Sequence, residues 1–297
     1  MRYISVAEAA LKWGISERSV RNYCREGRVA GARLSGKIWQ IPEVAEKPKR
    51  AVRSDKKRTL LDILREEKSA RLSGGIYHRV QIDLTYNSNH IEGSRLTHDE
   101  TRYIFETNTI GLSEKVVNVD DIIETANHFR AIDYIIDFAE EPITEDIIKT
   151  LHKILKTGTK DSHLSWFNVG EYKARANVVG GAETTPPVKV ASAVKNLLAE
   201  YSQKTDIKIE DVIQFHHDFE KIHPFQDGNG RVGRLIAFKE CLRFNIVPFI
   251  IEDSKKMFYY RGLKEWNSEQ GFLVETCLDG QDAYKVLLNY FGIEYNE

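Results

Sequence analysis

Twelve residues, His223-Pro224-Phe225-Gln226-Asp227-Gly228-Asn229-Gly230-Arg231-Val232-Gly233-Arg234, bring together a titratable base, a carboxylate, three glycines and two guanidinium groups. Upstream, Val212, Phe215, Phe219 and Ile222 recur at helical spacing, and downstream Val232, Leu235, Ile236 and Leu242 predict a second helix with one apolar face. The motif is therefore a loop that closes one helix and opens the next. At the second N-terminus unpaired backbone N–H groups point outward, and glycines let a ligand approach them. Such a place binds anions, phosphate above all. Arg231 and Arg234, three residues apart, lie on one side of the first turn and can reach one polyphosphate. Asp227 offers a hard oxygen suited to Mg²⁺. His223 is the residue of this run whose ordinary pKa lets it take a proton near neutrality. The combination describes nucleotide phosphate chemistry.

These residues resemble the signature of the Fic family, His-x-Phe-x-Asp/Glu-Gly-Asn-Gly-Arg-x-x-Arg. A solvated Gly-rich turn between helices is the bland alternative, and it leaves so many convergent polar groups unexplained. The resemblance implies transfer of AMP from ATP to a Ser, Thr or Tyr hydroxyl of a protein, the chain itself included, with release of pyrophosphate. His223 would be the base and Asp227 the ligand of Mg²⁺, or of Mn²⁺. Gly228, Asn229 and Gly230 would form the anion cradle, and Arg231 and Arg234 would hold the β- and γ-phosphates. Phe225 would fix the loop in the core.

A second segment must sit near the first. Gly74-Gly75 opens a stretch with Val80, Leu84, Asn87 and Ile91 at helical spacing, which Gly93 is placed to end. Ser88 and Glu92, four apart, share a face, and Ser88-Asn89-His90-Ile91-Glu92-Gly93 is similar to the family's inhibitory pattern Ser/Thr-x-x-x-Glu-Gly/Asn. The resemblance implies that Glu92 pairs with Arg234 and occupies the fork meant for the γ-phosphate. Alone, a Glu near a helix end reads as a surface charge. The same site could instead remove AMP, with Glu92 aligning a water. Between these segments, Phe167–Gly181 breaks the helical period and predicts a hairpin. It lies where Fic proteins carry the flap, here Val178, Val179, Gly180 and Gly181, whose edge could pair with an extended target segment. Lys173 stands where the family often has Arg, which puts the flap's attachment in question.

The elements around these sites are mostly helical from about Thr59 onward. Ile122, Ala126, Phe129, Ile132 and Ile136 form one stripe, and Thr144 caps a helix that turns Ile147, Leu151 and Ile154 inward. These stripes read as core, and His152 as a structural histidine. The 297 residues allow one large core or two domains. No apolar run reaches membrane-spanning length, and no signal-peptide pattern opens the chain. Cys24, Cys241 and Cys277 are far apart and outside any C-x-x-C spacing, so reduced thiols in the cytoplasm are expected.

The near-neutral total hides an asymmetry. Residues 1–58 carry 15 Lys+Arg against 6 Asp+Glu, and the remainder balances at −10. A basic head on an acidic body points to a polyanionic partner. Ser5-Val6-Ala7-Glu8 predicts a capping box. The helix it opens runs to about Lys12 and breaks at Gly14; Ser16 caps a second, Glu17 to about Glu26. Two strand-like runs, 29–34 and 37–41, follow around Ser35-Gly36. Helix, turn, helix and hairpin resemble the winged helix-turn-helix domains of the MerR and excisionase type. That likeness implies DNA as a partner, read by Arg18, Ser19, Arg21, Asn22 and Arg25, with Arg33 and Lys37 on the wing. A small helical cap with a solvated basic face is the plainer alternative, and such folds also dock proteins.

The reading is a mainly α chain. Residues 1–45 form a winged helix-turn-helix and residues 46–58 a basic linker. Residues 59–297 form an all-α Fic core with a β-hairpin flap and an inhibitory helix at about 76–93. From a different class, the chain could be a DNA-binding regulator whose core senses nucleotide. The protein target and a homodimer are left open.

Overall fold

The computed structural model describes residues 2–25, 27–36, 38–48, 58–111 and 116–295. Lys37, the end of the second helix at Glu26 and most of the basic linker lie outside the described residues. The chain divides into two compact units, Met1–Lys57 and Arg58–Glu297.

In the first unit, Ser5 accepts the Glu8 N–H while Glu8 accepts the Ser5 N–H, a capping box that starts α1 (Val6–Trp13). Gly14, at φ 63°, ends it in the left-handed conformation that glycine adopts without strain. Ser16 Oγ accepts the Ser19 N–H at the start of α2 (Glu17–Arg25). Three antiparallel strands, β1 (Tyr3–Ile4), β2 (Arg33–Ser35) and β3 (Ile38–Pro42), pair in the order β1-β3-β2. β1 is an addition to the sequence reading, and residues 29–32 form a turn rather than strand. Val29 reads as strand because it is apolar, but it is buried as a plug in the small core with Val6, Ala9, Trp13, Val20 and Ile41. Arg18, Arg21, Arg25 and Arg33 are exposed, and Ser19 and Asn22 half-buried. Arg21 pairs with Glu17 at 2.5 Å and Arg25 donates to Asn22 at 3.0 Å. Arg33 donates to Gln40 and stacks over the Tyr3 ring.

The second unit is helical: α3 (Leu60–Ala70), α4 (Ile76–Ile91), α5 (His98–Thr107), α6 (Val119–Asp137), α7 (Glu145–Lys156), α8 (Pro187–Ser202), α9 (Ile209–Ile222), α10 (Asn229–Arg243), α11 (Lys256–Glu265) and α12 (Gly271–Tyr290). A short hairpin, β4 (Val178–Val179) and β5 (Ala182–Glu183), interrupts them between α7 and α8. Gly180 and Gly181 turn it with φ of 56° and 82°, which the two-residue hairpin turns demand.

α10 is the central post, packed against α3, α4, α6, α7 and α9. The expected single apolar face is corrected here. Val232, Leu235, Ile236 and Leu242 are buried, but so are Arg231, Arg234, Lys239 and Glu240 on the other faces. A helix surrounded on all sides must bury its polar residues too, and these find partners. Lys239, for example, donates to the Ala139 and Glu141 carbonyls and pairs with Glu240 at 2.9 Å. Among the described residues no helix is long and apolar enough to cross a membrane.

Candidate active site at the start of the central helix

α9 ends at His223, whose φ of 53° turns the chain back through the left-handed region. Phe225 then drives its ring into the core, fully buried and stacked on His152 at 4.0 Å. Asn229 closes the loop by accepting the Phe225 N–H at 2.7 Å and donating to its carbonyl at 2.9 Å. Gly228, at φ 80°, caps α10, and a Cβ there would touch the side chains of Lys156 and His152. His152 accepts the Gly170 N–H at 2.9 Å, and burial lowers its pKa to about 3. Its contacts are those of a structural side chain, a wall behind the loop.

His223 is half-buried. Burial, helped by the nearby Lys173 charge, brings its pKa down to about 4, so the ring is neutral at pH 7. Lys173 ties the hairpin to this loop. Its N–H donates to the Pro224 carbonyl at 2.9 Å, and its ammonium donates to Asn177 at 2.8 Å and Thr184 at 2.5 Å. Asn177 reaches on to the Phe225 and Gln226 carbonyls at 3.5 Å. Lys173, which stands where the resemblance implies Arg, thus bonds both the loop and the ends of the hairpin. Val178 and Val179 at the tip are exposed.

The two motif arginines point to different carboxylates. Arg234 donates from Nε to Ser88 Oγ at 3.0 Å and from Nη2 to the Ser88 carbonyl at 2.9 Å. The same Nη2 lies 2.7 Å from Glu92 Oε1, and Nη1 reaches the Tyr259 hydroxyl at 3.5 Å. Burial is the largest influence and works against the Arg234 charge, but Glu92, Tyr259 and Glu220 together outweigh it and hold the pKa above the ordinary arginine value. Glu92 caps the C-terminus of α4 and Gly93, at φ 103°, carries the chain away. A Cβ on Gly230 would sit 2.2 Å from Glu92 Oε1. The carboxylate therefore rests against the opening turn of α10, where the helix end favours negative charge.

Arg231 pairs with Glu124 of α6 and lies 3.5 Å from Asp227. Glu124 also pairs with Lys156 of α7, which holds Asp227 at 2.6 Å. Burial would raise the Asp227 pKa, but Arg231 and Lys156 hold it below the usual carboxylate range. Glu124, Lys156 and Tyr259 escaped the sequence reading. Glu124 and Lys156 sit within stripes assigned to core packing, and no local pattern links them to residues about a hundred positions away.

The fold formed around this site is that of Fic proteins. A Fic domain containing signaling protein from Bacteroides thetaiotaomicron superposes with a TM-score of 0.61 at 21% identity, covering 80% of this chain and 98% of that one. The sequence model of the Fic/DOC family matches residues 142–240, a span that includes the whole loop from His223 to Arg234. The chain is similar to the protein adenylyltransferase Fic of Nematostella vectensis, 26% identical over 187 residues, 61% of this chain and 42% of that one. It is similar to that of Drosophila virilis, 27% identical over 223 residues, 73% of this chain and 44% of that one. The chain thus spans about two fifths of the length of these curated relatives.

Proposed function

We propose that the chain is a Fic-type protein adenylyltransferase held in check by Glu92. The observation that carries this is the meeting of a neutral His223, an ionised Asp227 and the first turn of α10, where Glu92 lies against Gly230. His223 takes the proton of a target Ser, Thr or Tyr hydroxyl as its oxygen attacks the α-phosphorus of ATP. The bond from that phosphorus to pyrophosphate breaks in line, and Arg231 and Arg234 take up the charge of the leaving group. Val178 and Val179 offer an edge strand to the segment that carries the hydroxyl.

Asp227 fits a divalent cation. Its carboxylate is ionised and its side chain is 47% exposed. Among the described residues no group of three or more His, Cys, Asp and Glu gathers to hold a metal, so Asp227 would share Mg²⁺ or Mn²⁺ with phosphate oxygens and water. When bound, the cation shields the phosphate charge from the incoming oxygen.

Glu92 supports the brake because it lies where a phosphate would contact Gly230 and Arg234. The same position supports a second reading, AMP removal, in which this carboxylate aligns the attacking water. In the first unit the exposed Arg18, Arg21 and Arg25 support DNA as a partner. ATP labelled on the α- or on the γ-phosphate tests the reaction. Protein should acquire the α label alone. Acquisition of the γ label would mean phosphoryl transfer, and acquisition of neither would remove the transferase.

A further inference from the structure

Three cations near the loop, Lys156, Arg231 and Arg234, are paired with carboxylates, and the motif accounts for only the two arginines. Lys156 is the last residue of α7, and its stem packs beneath Gly228, whose absent Cβ would lie 3.5 Å from Lys156 Cδ. The lysine side chain is 4% exposed, yet its partner Asp227 is 47% exposed. The pair is therefore sealed on the lysine side and open to solvent on the carboxylate side. Glu124 holds the same ammonium from behind and also holds Arg231, so it positions both cations toward the loop. Arg231 Nε is buried without a hydrogen-bond partner, an unmet donor in the same cluster.

The charges explain what such a lysine does. Asp227 alone at the cradle would repel an approaching polyphosphate, and a divalent cation normally removes that repulsion. A buried ion pair is weak evidence for stability, because desolvation consumes most of the attraction. A pair left open toward a ligand has a further role available to it.

We infer that Lys156 is a built-in cation of the phosphate site: it neutralises Asp227 so that the triphosphate of ATP can bind before a divalent cation takes the carboxylate over. This rests on the nucleotide reading above and adds to it a residue outside the motif. Lys156 is a positioning residue here, and it acts through Asp227. Its effect must show in binding without metal and fade once metal is present.

Calorimetry of the full chain with α,β-methylene-ATP, in EDTA and in Mg²⁺, separates the possibilities. In Lys156→Met, metal-free affinity should fall about tenfold or more, the effect of losing one charge-assisted hydrogen bond. Mg²⁺-loaded affinity should change by less than about threefold, since the cation replaces the ammonium. Lys156→Arg should keep metal-free binding close to wild type. If Lys156→Met lowers the melting temperature below the assay range, Lys156→Gln carries the same expectation with a polar head left for Glu124. Equal loss with and without Mg²⁺, or no loss in either, overturns the inference while leaving the nucleotide reading intact. A wild-type chain that binds the analogue under neither condition overturns both.

Discussion

Burial pushes the His223 imidazole to about 4, so at neutral pH its ring offers a lone pair rather than a charge. A base prepared in this way should be indispensable to transfer and marginal to binding. His223→Ala is expected to lower AMP transfer by at least about 10²–10⁴-fold, with ATP affinity by calorimetry nearly unchanged. Transfer at the wild-type rate would remove His223 from the mechanism. Three other buried histidines share the direction of shift: His128, well below its ordinary value, and His152 and His216, each at about 3. For each, the unfolded chain binds the proton first as pH falls, so the stability they contribute is full above about 6.5 and drains toward their folded values. Glu220, raised to about 8 by burial, acts the other way between its unfolded and folded pKa. Asp133, also raised by burial, acts with Glu220, and the four histidines outnumber these two carboxylates between pH 7 and 5. The urea midpoint should be lower at pH 5 than at pH 7, and His152→Gln should narrow the gap; an equal or higher midpoint at pH 5 contradicts the shifts. The chemistry of the loop was legible from its residue types, since base, carboxylate and guanidinium groups declare themselves. The neutral state of His223 was not, because burial comes from the packing of distant helices.

At the scale of elements, the loop is held by its neighbours on both sides. The hairpin proposed as a flap is tied down by Lys173 through Asn177 and Thr184, so Lys173→Met should free it. We expect KM for a protein target to rise about tenfold, the loss of roughly one charge-assisted contact, with ATP affinity retained and Lys173→Arg largely restoring the target KM. An unchanged KM would mean that the flap is positioned by other contacts. Caps and apolar spacing made α1, α4, α7 and the α9–α10 pair readable, because Ser5, Thr144 and Gly93 punctuate them locally. β1 was missed since two residues carry no period. The all-round burial of α10 was missed because a central helix has no polar face to show. Glu124 and Lys156 are the instructive omissions. Each lies on a helix whose stripe reads as core, and only the packing of α6 and α7 against α10 brings them to Asp227 and Arg231.

The whole molecule joins a basic unit to an acidic one, and this asymmetry is legible in the composition alone. The role proposed for the first unit is electrostatic, so salt should govern it. The full chain should bind duplex DNA at about 50 mM salt and lose affinity by orders of magnitude by about 200 mM, if several phosphates are neutralised. Replacing Arg18, Arg21 and Arg25 together with Ala should weaken the complex and flatten its salt dependence. A gel-shift assay at low salt without any complex would remove nucleic acid from the partners. The function proposed for the second unit does not depend on that outcome, because the residues proposed for its chemistry all lie within Arg58–Glu297.

In the function proposed above, this site transfers AMP and Glu92 restrains it by holding Arg234. One charge-assisted hydrogen bond contributes about 1.5–3 kcal/mol, enough for roughly tenfold to hundredfold suppression. Glu92→Gly removes the carboxylate, leaves Arg234 to a phosphate and adds no charge; Glu92→Gln should activate less, since the amide still occupies the place. The decisive measurement is incorporation of α-labelled ATP into a host lysate, and into the chain itself, by the wild type and by Glu92→Gly. Labelling should be at least about tenfold higher in Glu92→Gly. Equal labelling by both would contradict the brake, and no labelling by Glu92→Gly, with removal of AMP from modified protein lost as well, would show a site built for AMP removal instead.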